Sequence, residues 1–473
     1  MKKLQGLYTL LFGVAVFLFF GLAYPHHLHY QEQYQLFLFD STYIWDVVKL
    51  PGGVSDLLGR FCTQFFLFAW VGALIIALLL SLVQLLVLRL FTLHSSLSTL
   101  HFSCALSFVP SFLLWLFLLD ENALLGGVWA VVLTLLAIWG YVIVPSGWLR
   151  CILILVTIPV LYWIALGGNH YYRYPTVFPT LLYAAWISAV ILPLMVRACH
   201  KWLSLSNGSS QRDRGVAFFT LHSSLFTFVL VTIVMGSLVW KNANFKAEKV
   251  MQYDFMARYQ QWNRIIETIN AEKPNNQIGV TVQNLALAMR GMLADRMLDY
   301  NQNGILGLLP DVDRDATSPL PTAEAFYQLG MIYVAQRTVF EAQEAILDFQ
   351  KSARCYKRLA QTNLIIGSYE VSRKYLTALQ KTLFYRDWAN ETLQLLAHEE
   401  AIAQHPEYGR LRRFAYKEDT YFSDHVTPEM LESLFLSNTD NRLAFEYLKA
   451  YYLLTGDRER FTRLLLQLQE NKK

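Results

Sequence analysis

The sequence predicts an all-α membrane protein: a polytopic bundle of about seven transmembrane helices over residues 1–240, then a soluble α-hairpin repeat domain over residues 241–473. Three observations predict it. Apolar stretches of membrane-crossing length crowd the first half. Ionisable residues are scarce there and abundant in the second half. From Asn242 onward, apolar residues recur at helical period in segments of ~10–15 residues separated by short turns.

The charge split is sharp. Residues 1–240 hold 11 Lys/Arg and 7 Asp/Glu, whereas residues 241–473 hold 29 of each, so the formal +4 belongs to the apolar half. The hydrophobic fraction of the whole chain, 54%, exceeds the usual value for soluble proteins, about 45–50%. A formally neutral tail carries no electrostatic footprint for nucleic acid, which is excluded as a partner. The five cysteines make no disulfide framework. Cys62, Cys104, Cys151 and Cys199 lie in or beside apolar segments and only Cys355 lies in the tail, so they read as small buried hydrophobes.

A helix of about 20 apolar residues crosses a bilayer. Spans are expected near Leu7–Tyr24, Phe65–Leu88, Leu100–Leu119, Leu124–Val144, Cys151–Leu166, Val177–Val196 and Val216–Trp240, the fourth and fifth being separated only by residues 145–150. With the N-terminus inside, the inner segments carry Lys2, Lys3, Arg89, Arg150, Arg197, Lys201, Arg212 and Arg214, while the outer segments before the tail carry Lys49, Arg60 and Arg173. Eight against three follows the positive-inside rule, and an odd span count sends the tail outside. The first span reads as a retained signal anchor rather than a cleaved signal peptide. Gly21-Leu22-Ala23 offers small residues, but the apolar run is longer than the core of a signal peptide. The span centres hold essentially no acids or bases, which argues against an ion pump or proton-coupled transporter. His101 and His222 are the nearest titratable groups and are expected at an interface or against a neighbouring helix.

In the tail, Tyr327-Gln328-Leu329-Gly330-Met331-Ile332-Tyr333 with Phe340-Glu341-Ala342 and Ile346 resembles a tetratricopeptide repeat. Leu359-Ala360, Asn363, Gly367-Ser368-Tyr369 and Leu376 form a second such window, and Leu448, Tyr452, Thr455-Gly456-Asp457 and Phe461 a third. In each, a small residue allows close helix approach and a turn residue closes the hairpin. The match weakens at Tyr253–Ile269 and Val282–Leu298, and Gly304–Pro321 reads as a long loop. Within that loop, Asp311-Val312-Asp313-Arg314-Asp315 starts like a calcium loop. Its sixth and twelfth positions hold Ala316 and Thr322 where Gly and Glu are required, which excludes calcium.

Chemistry is best sought in the first outer segment, residues 25–60, which is rich in aromatics and carries four acids. His26, His27 and His29 crowd its start and read as an interfacial cluster rather than a zinc site; no metal or cofactor is expected. Aromatics at a bilayer surface anchor a protein there. The alternative is a site for a lipid-linked sugar, in which Glu32 or Asp40 is the catalytic acid or base, with Asp46 a third candidate, and Arg60 and Arg173 face the phosphate. Glu32 and Asp40 are eight residues apart and share a similar face if the segment is helical.

Two further resemblances arise. An acidic loop after the first span, more spans and a repeat tail is the layout of GT-C membrane glycosyltransferases; the likeness covers layout only, without the usual paired-acid motif. Closer, and over nearly the whole chain, the strings Glu32-Gln33-Tyr34-Gln35-Leu36-Phe37, Pro51-Gly52-Gly53, Asn284-Leu285-Ala286-Leu287-Ala288, 304–310, Leu329-Gly330-Met331 and Lys381-Thr382-Leu383-Phe384-Tyr385 resemble an uncharacterised bacterial membrane-protein family. That resemblance implies a multi-pass protein of the bacterial cytoplasmic membrane and assigns no activity. The expected partners are the bilayer and an envelope protein or peptide bound by the repeat domain. The expected function is therefore an envelope scaffold or assembly factor, the alternative a GT-C-like glycosyltransferase with a lipid-linked sugar donor.

Overall fold

A computed structural model describes residues 2–92, 104–144, 147–165, 180–206, 215–311, 318–346, 350–416 and 427–470. Regular structure among them is helical, with one isolated bridge, Asn303 to Ile305, as the only β contact. Contacts divide the chain into two compact units, Met1–Phe245 and Lys246–Lys473.

The first unit holds α1 (Lys2–Leu18, continued by a π-turn over Phe19–Ala23), α2 (Pro25–Glu32), α3 (Ser41–Val48), α4 (Gly53–Thr63), α5 (Ala69–Thr92), α6 (Phe108–Phe117), α7 (Leu125–Ile143), α8 (Trp148–Ile164), α9 (Thr180–Ser206) and α10 (Gly215–Asn242). Among the described residues three helical stretches are long and apolar enough to cross a membrane: Gln5–Ala23, Ala69–Phe91 and Leu125–Ile143. Shorter apolar helices, Cys104–Phe117, Trp148–Ile164, Thr180–Met195 and Val229–Asn242, fall on the other four expected spans. Two of them, at Cys104 and Thr180, begin directly after residues outside the described set, Trp148–Ile164 begins two residues after such a gap, and the fourth is the part of α10 whose side chains are described. His101 lies outside the described residues, as does the side chain of His222.

Helix α5 is the hub, packing against α1, α6, α7 and α9. Between helices of this kind, lipid provides no hydrophobic driving force, so close packing and polar contacts hold them together. Gln84, fully buried on α5, accepts from the Thr9 hydroxyl of α1 at 2.8 Å and donates to Ser107, just before α6, at 2.8 Å. Ser111 of α6 donates to the Leu80 carbonyl at 2.8 Å. Each such bond contributes roughly 1 kcal/mol between apolar helices. The crossing of α4 and α7 is set by glycine. A Cβ on Gly59 would lie 2.4 Å from the Gly126 nitrogen and 2.7 Å from its Cα, so backbone meets backbone there.

The second unit holds α11 (Phe245–Arg258), α12 (Trp262–Glu272), α13 (Gln277–Met289), α14 (Leu293–Arg296), α15 (Pro319–Leu329), α16 (Ile332–Ala345), α17 (Ala353–Ile365), α18 (Tyr369–Leu379), α19 (Arg386–Leu395), α20 (Glu399–Gln404), α21 (Tyr408–Phe414), α22 (Pro428–Ser437), α23 (Arg442–Thr455) and α24 (Arg458–Glu470). The three sequence windows correspond to the hairpins α15–α16, α17–α18 and α23–α24, each turning at a glycine with positive φ: Gly330, Gly367 and Gly456. Asparagine and hydroxyl caps start several of these helices, as where the Ser352 side chain accepts from the Cys355 N–H and Asn441 from Ala444. Ala342 is fully buried among Leu320, Val339 and Leu359, which lets α15, α16 and α17 approach closely.

Two features differ from the sequence expectation. The expected loop ends early, because Pro319 begins α15 at a first-turn position that proline favours. Its described part is pinned, Asn284 donating to the Gly307 carbonyl at 2.8 Å and Gln283 to the Asn301 carbonyl at 3.1 Å. Of the calcium-like string, only Asp311 is among the described residues. The hairpins also fold back on themselves instead of running as an open row. Helix α21 packs on α15 and α17, and α23 on α13, α14 and α15. Asn441 donates to the Leu329 carbonyl at 2.8 Å, and Phe414 fills the space a Cβ on Gly330 would need.

Candidate functional site

Residues 25–63 fold as three helices with an extended stretch between the first two, and Asp40, Asp46 and Arg60 serve local structure there. Glu32 ends α2 and is 4% exposed. Residues 35–40 are not helical, so Glu32 and Asp40 do not share a helix face. The reason is Asp40 itself: in extended backbone, its carboxylate accepts from the Tyr43 N–H at 3.1 Å and caps α3. Asp46 forms an exposed pair with Lys49. Arg60, expected to face a phosphate, is bonded to the Asp56 carboxylate one helical turn earlier through Nε at 2.9 Å and Nη2 at 2.6 Å. Burial would lower its pKa, but Asp56 and then Tyr43 raise it, so this guanidinium stays charged and compensated. Arg173 lies outside the described residues.

What α2 does instead is hold the turn between α6 and α7. Tyr24 donates to the Leu119 carbonyl at 3.5 Å, His27 Nε2 to the Leu118 carbonyl at 3.0 Å, and Gln31 to the carbonyls of Asp120 at 3.3 Å and Ala123 at 3.2 Å. His27 is fully buried, and burial pushes its imidazole down to about 3 against the pull of that carbonyl, so it is neutral. Among the described residues, no three His, Cys, Asp or Glu side chains come together as metal ligands.

The turn so held carries two adjacent acids that the sequence reading passed over, Asp120 and Glu121. They line a cleft of about 390 Å³ with the ends of α6 and α9 and with Asn242 and Asn244. Burial holds both carboxyls above the usual range; the Asn122 N–H opposes this at Asp120, and the Asp120 charge adds to it at Glu121. A pair of acids with raised pKa values beside two amides can accept and return a proton and hold a hydroxylated ligand. The signal in sequence is the dipeptide at the end of an apolar run.

The second unit carries a denser cluster, also absent from the sequence reading. Arg354 of α17 is bonded to both carboxylate oxygens of Asp254 on α11, at 2.6 and 2.8 Å, and lies 3.7 Å from Glu324 on α15. Arg358, one turn on, bonds Glu324 at 2.6 Å and lies over the Tyr327 ring at 3.7 Å. The Tyr327 hydroxyl donates to Glu407 at 2.9 Å. Arg258 donates to the Tyr385 hydroxyl at 2.7 Å. Lys357 sits over the Trp388 ring at 4.9 Å, half-buried, its ammonium pushed down to about 8 by burial and then by Arg258 and Arg358. Arg354 and Glu324 are buried, whereas Lys357 and Trp388 are half-buried.

A family of unknown function, DUF6057, matches the chain over residues 1–170 and 165–473. No curated protein and no solved structure matches it.

Proposed function

We propose, for a chain that belongs to the DUF6057 family of unknown function, that it is a membrane-anchored protein-binding factor of the bacterial envelope. In this reading seven spans anchor it in the cytoplasmic membrane with the N-terminus inside, and a tetratricopeptide-like tail outside binds an envelope protein or peptide. The observation that carries it is the contrast in how polar groups are used. In the first outer segment Glu32 is buried, Asp40 caps α3 and Arg60 is bonded to Asp56. In the tail, Lys357 and Trp388 stand half-buried at the rim of the charge cluster. A partly covered tryptophan such as Trp388 is the kind of side chain that anchors a protein partner. The eight-to-three bias of basic residues supports the orientation.

A photo-reactive residue introduced in cells at Trp388, with Lys374 on the exposed face of α18 as control, tests this. One discrete adduct from position 388 and none from 374 is expected. No adduct at 388, or the same adducts at both, refutes it.

The GT-C-like glycosyltransferase remains as a second reading because one feature favours it: the cleft with Asp120 and Glu121, which puts two adjacent acids and two amides around one space. Asp120→Asn and Glu121→Gln keep size and hydrogen-bonding capacity. If both variants reach normal membrane levels and complement a deletion strain, this reading fails; loss of complementation at normal levels favours it over the scaffold.

A further inference from the structure

The cluster of the second unit is not neutral. Lys357 is acted on by Arg258 and Arg358 and by Glu324 and Glu407, and with the Arg354–Asp254 pair the groups named are four cations to three carboxylates. Arg354 and Arg358 are ion-paired with Asp254 and Glu324. Among the described residues Lys357 has no ion pair; its contact is the Trp388 ring. It is also the cluster's half-buried member nearest neutrality, because burial and then the neighbouring guanidiniums of Arg258 and Arg358 disfavour its charge. An unpaired ammonium at a cationic rim calls for an acceptor.

We propose that Lys357, beside Arg258 and Arg358 and over the Trp388 ring, anchors a carboxylate group of the tail's binding partner. Among the groups named the excess is one positive charge, which a monoanionic carboxylate cancels and a phosphate dianion over-fills. Trp388 supplies a flat apolar wall for the carbon chain that bears the carboxylate. Lys357 is accessible enough to be reached and buried enough for the ion pair to resist screening by salt. This assignment rests on the protein-binding reading for the identity of the carboxylate's bearer, though the site itself is testable without a partner.

The test uses the full-length protein in detergent micelles and competitive amine labelling, read peptide by peptide by mass spectrometry at pH 8. Sodium acetate is the probe, with sodium chloride, acetamide and sodium phosphate compared at matched ionic strength where charged. A bound carboxylate restores the ammonium, so labelling of Lys357 is expected to fall at least about fivefold in acetate relative to chloride and acetamide. Exposed Lys374, the internal reference, should not respond. Unchanged Lys357 labelling in acetate overturns the site, and equal protection by phosphate overturns its assignment to a carboxylate. Acetate protection without any partner adduct at Trp388 in cells would leave this site standing and remove the partner-binding reading. An adduct that persists unchanged in Lys357→Met would do the reverse.

Discussion

Replacing Asp254 by alanine should loosen the hold of α11 on α17, and the structure sets the size of the effect. The Arg354 side chain is 6% exposed and bonds both Asp254 oxygens, at 2.6 and 2.8 Å. Removing one member of a buried pair costs about 3–5 kcal/mol, mostly as an uncompensated buried charge. Glu324 remains 3.7 Å from Arg354, but it is already bonded to Arg358 at 2.6 Å, so it compensates only in part. The low end of the range, about 3 kcal/mol, is therefore expected. Hydrogen exchange of the full-length protein in micelles reads this directly, and α17 amides should exchange roughly a hundredfold faster, since about 1.4 kcal/mol is a factor of ten. The double variant Asp254→Leu with Arg354→Met exchanges an ion pair for an apolar pair and should be less destabilised than either single variant. Unchanged α17 exchange in Asp254→Ala, or additive effects in the double variant, would refute the reasoning.

Three other outcomes follow from single residues. Gly59→Ala forces a Cβ against the Gly126 backbone at 2.4 Å, so it should lower the thermal stability of the detergent-solubilised protein by about 1–3 kcal/mol, whereas Gly6→Ala, where a Cβ meets nothing within 4 Å, should not. Lys357 has a folded-state pKa of about 8 against 10.5 ordinarily, so the unfolded chain binds more protons between those values and its penalty, complete below about pH 8, fades toward 10.5. Lys357→Met should thus stabilise the tail at pH 7 and do so less at pH 10, measured by exchange or melting; an equal gain at both would contradict the burial argument. Asp40→Ala should cost about 1 kcal/mol through the lost cap while Asp40→Asn, which can still accept from Tyr43, costs little. On the scaffold reading, Asp40→Asn and Glu32→Gln both complement a deletion strain when present at normal levels, and failure of either would return catalysis to this segment.

Local patterns were legible in sequence, and long-range ones were not. Gly330, Gly367 and Gly456 announce their hairpin turns because only a left-handed residue closes those helices, and such a glycine is visible in one chain. The Arg60–Asp56 bond was also readable, being four residues apart on one helix, and its presence removes the free cation expected there. Asp40 before Ser41-Thr42-Tyr43 is an ordinary cap signal, legible within four residues. By contrast, Arg354 meets Asp254 across 100 residues and Tyr327 meets Glu407 across 80, so no window on the sequence contains the cluster. The folding back of α23 onto α13 and α15 likewise depends on tertiary contacts, such as Asn441 to the Leu329 carbonyl. The role of α2 was hidden because its histidine and glutamine bond main-chain carbonyls, which leave no mark on the residue types opposite.

A binding surface for an envelope partner must be outside, so the proposed function requires the tail to lie there. Paired reporter fusions after Asn244, one active only in the cytoplasm and one only beyond the membrane, measure this directly, with fusions after Lys201 as the inner reference. An outside-active reporter at Asn244 together with an inside-active reporter at Lys201 is the predicted result. A cytoplasmic reporter active at Asn244 would contradict the seven-span orientation and, with it, the proposed function.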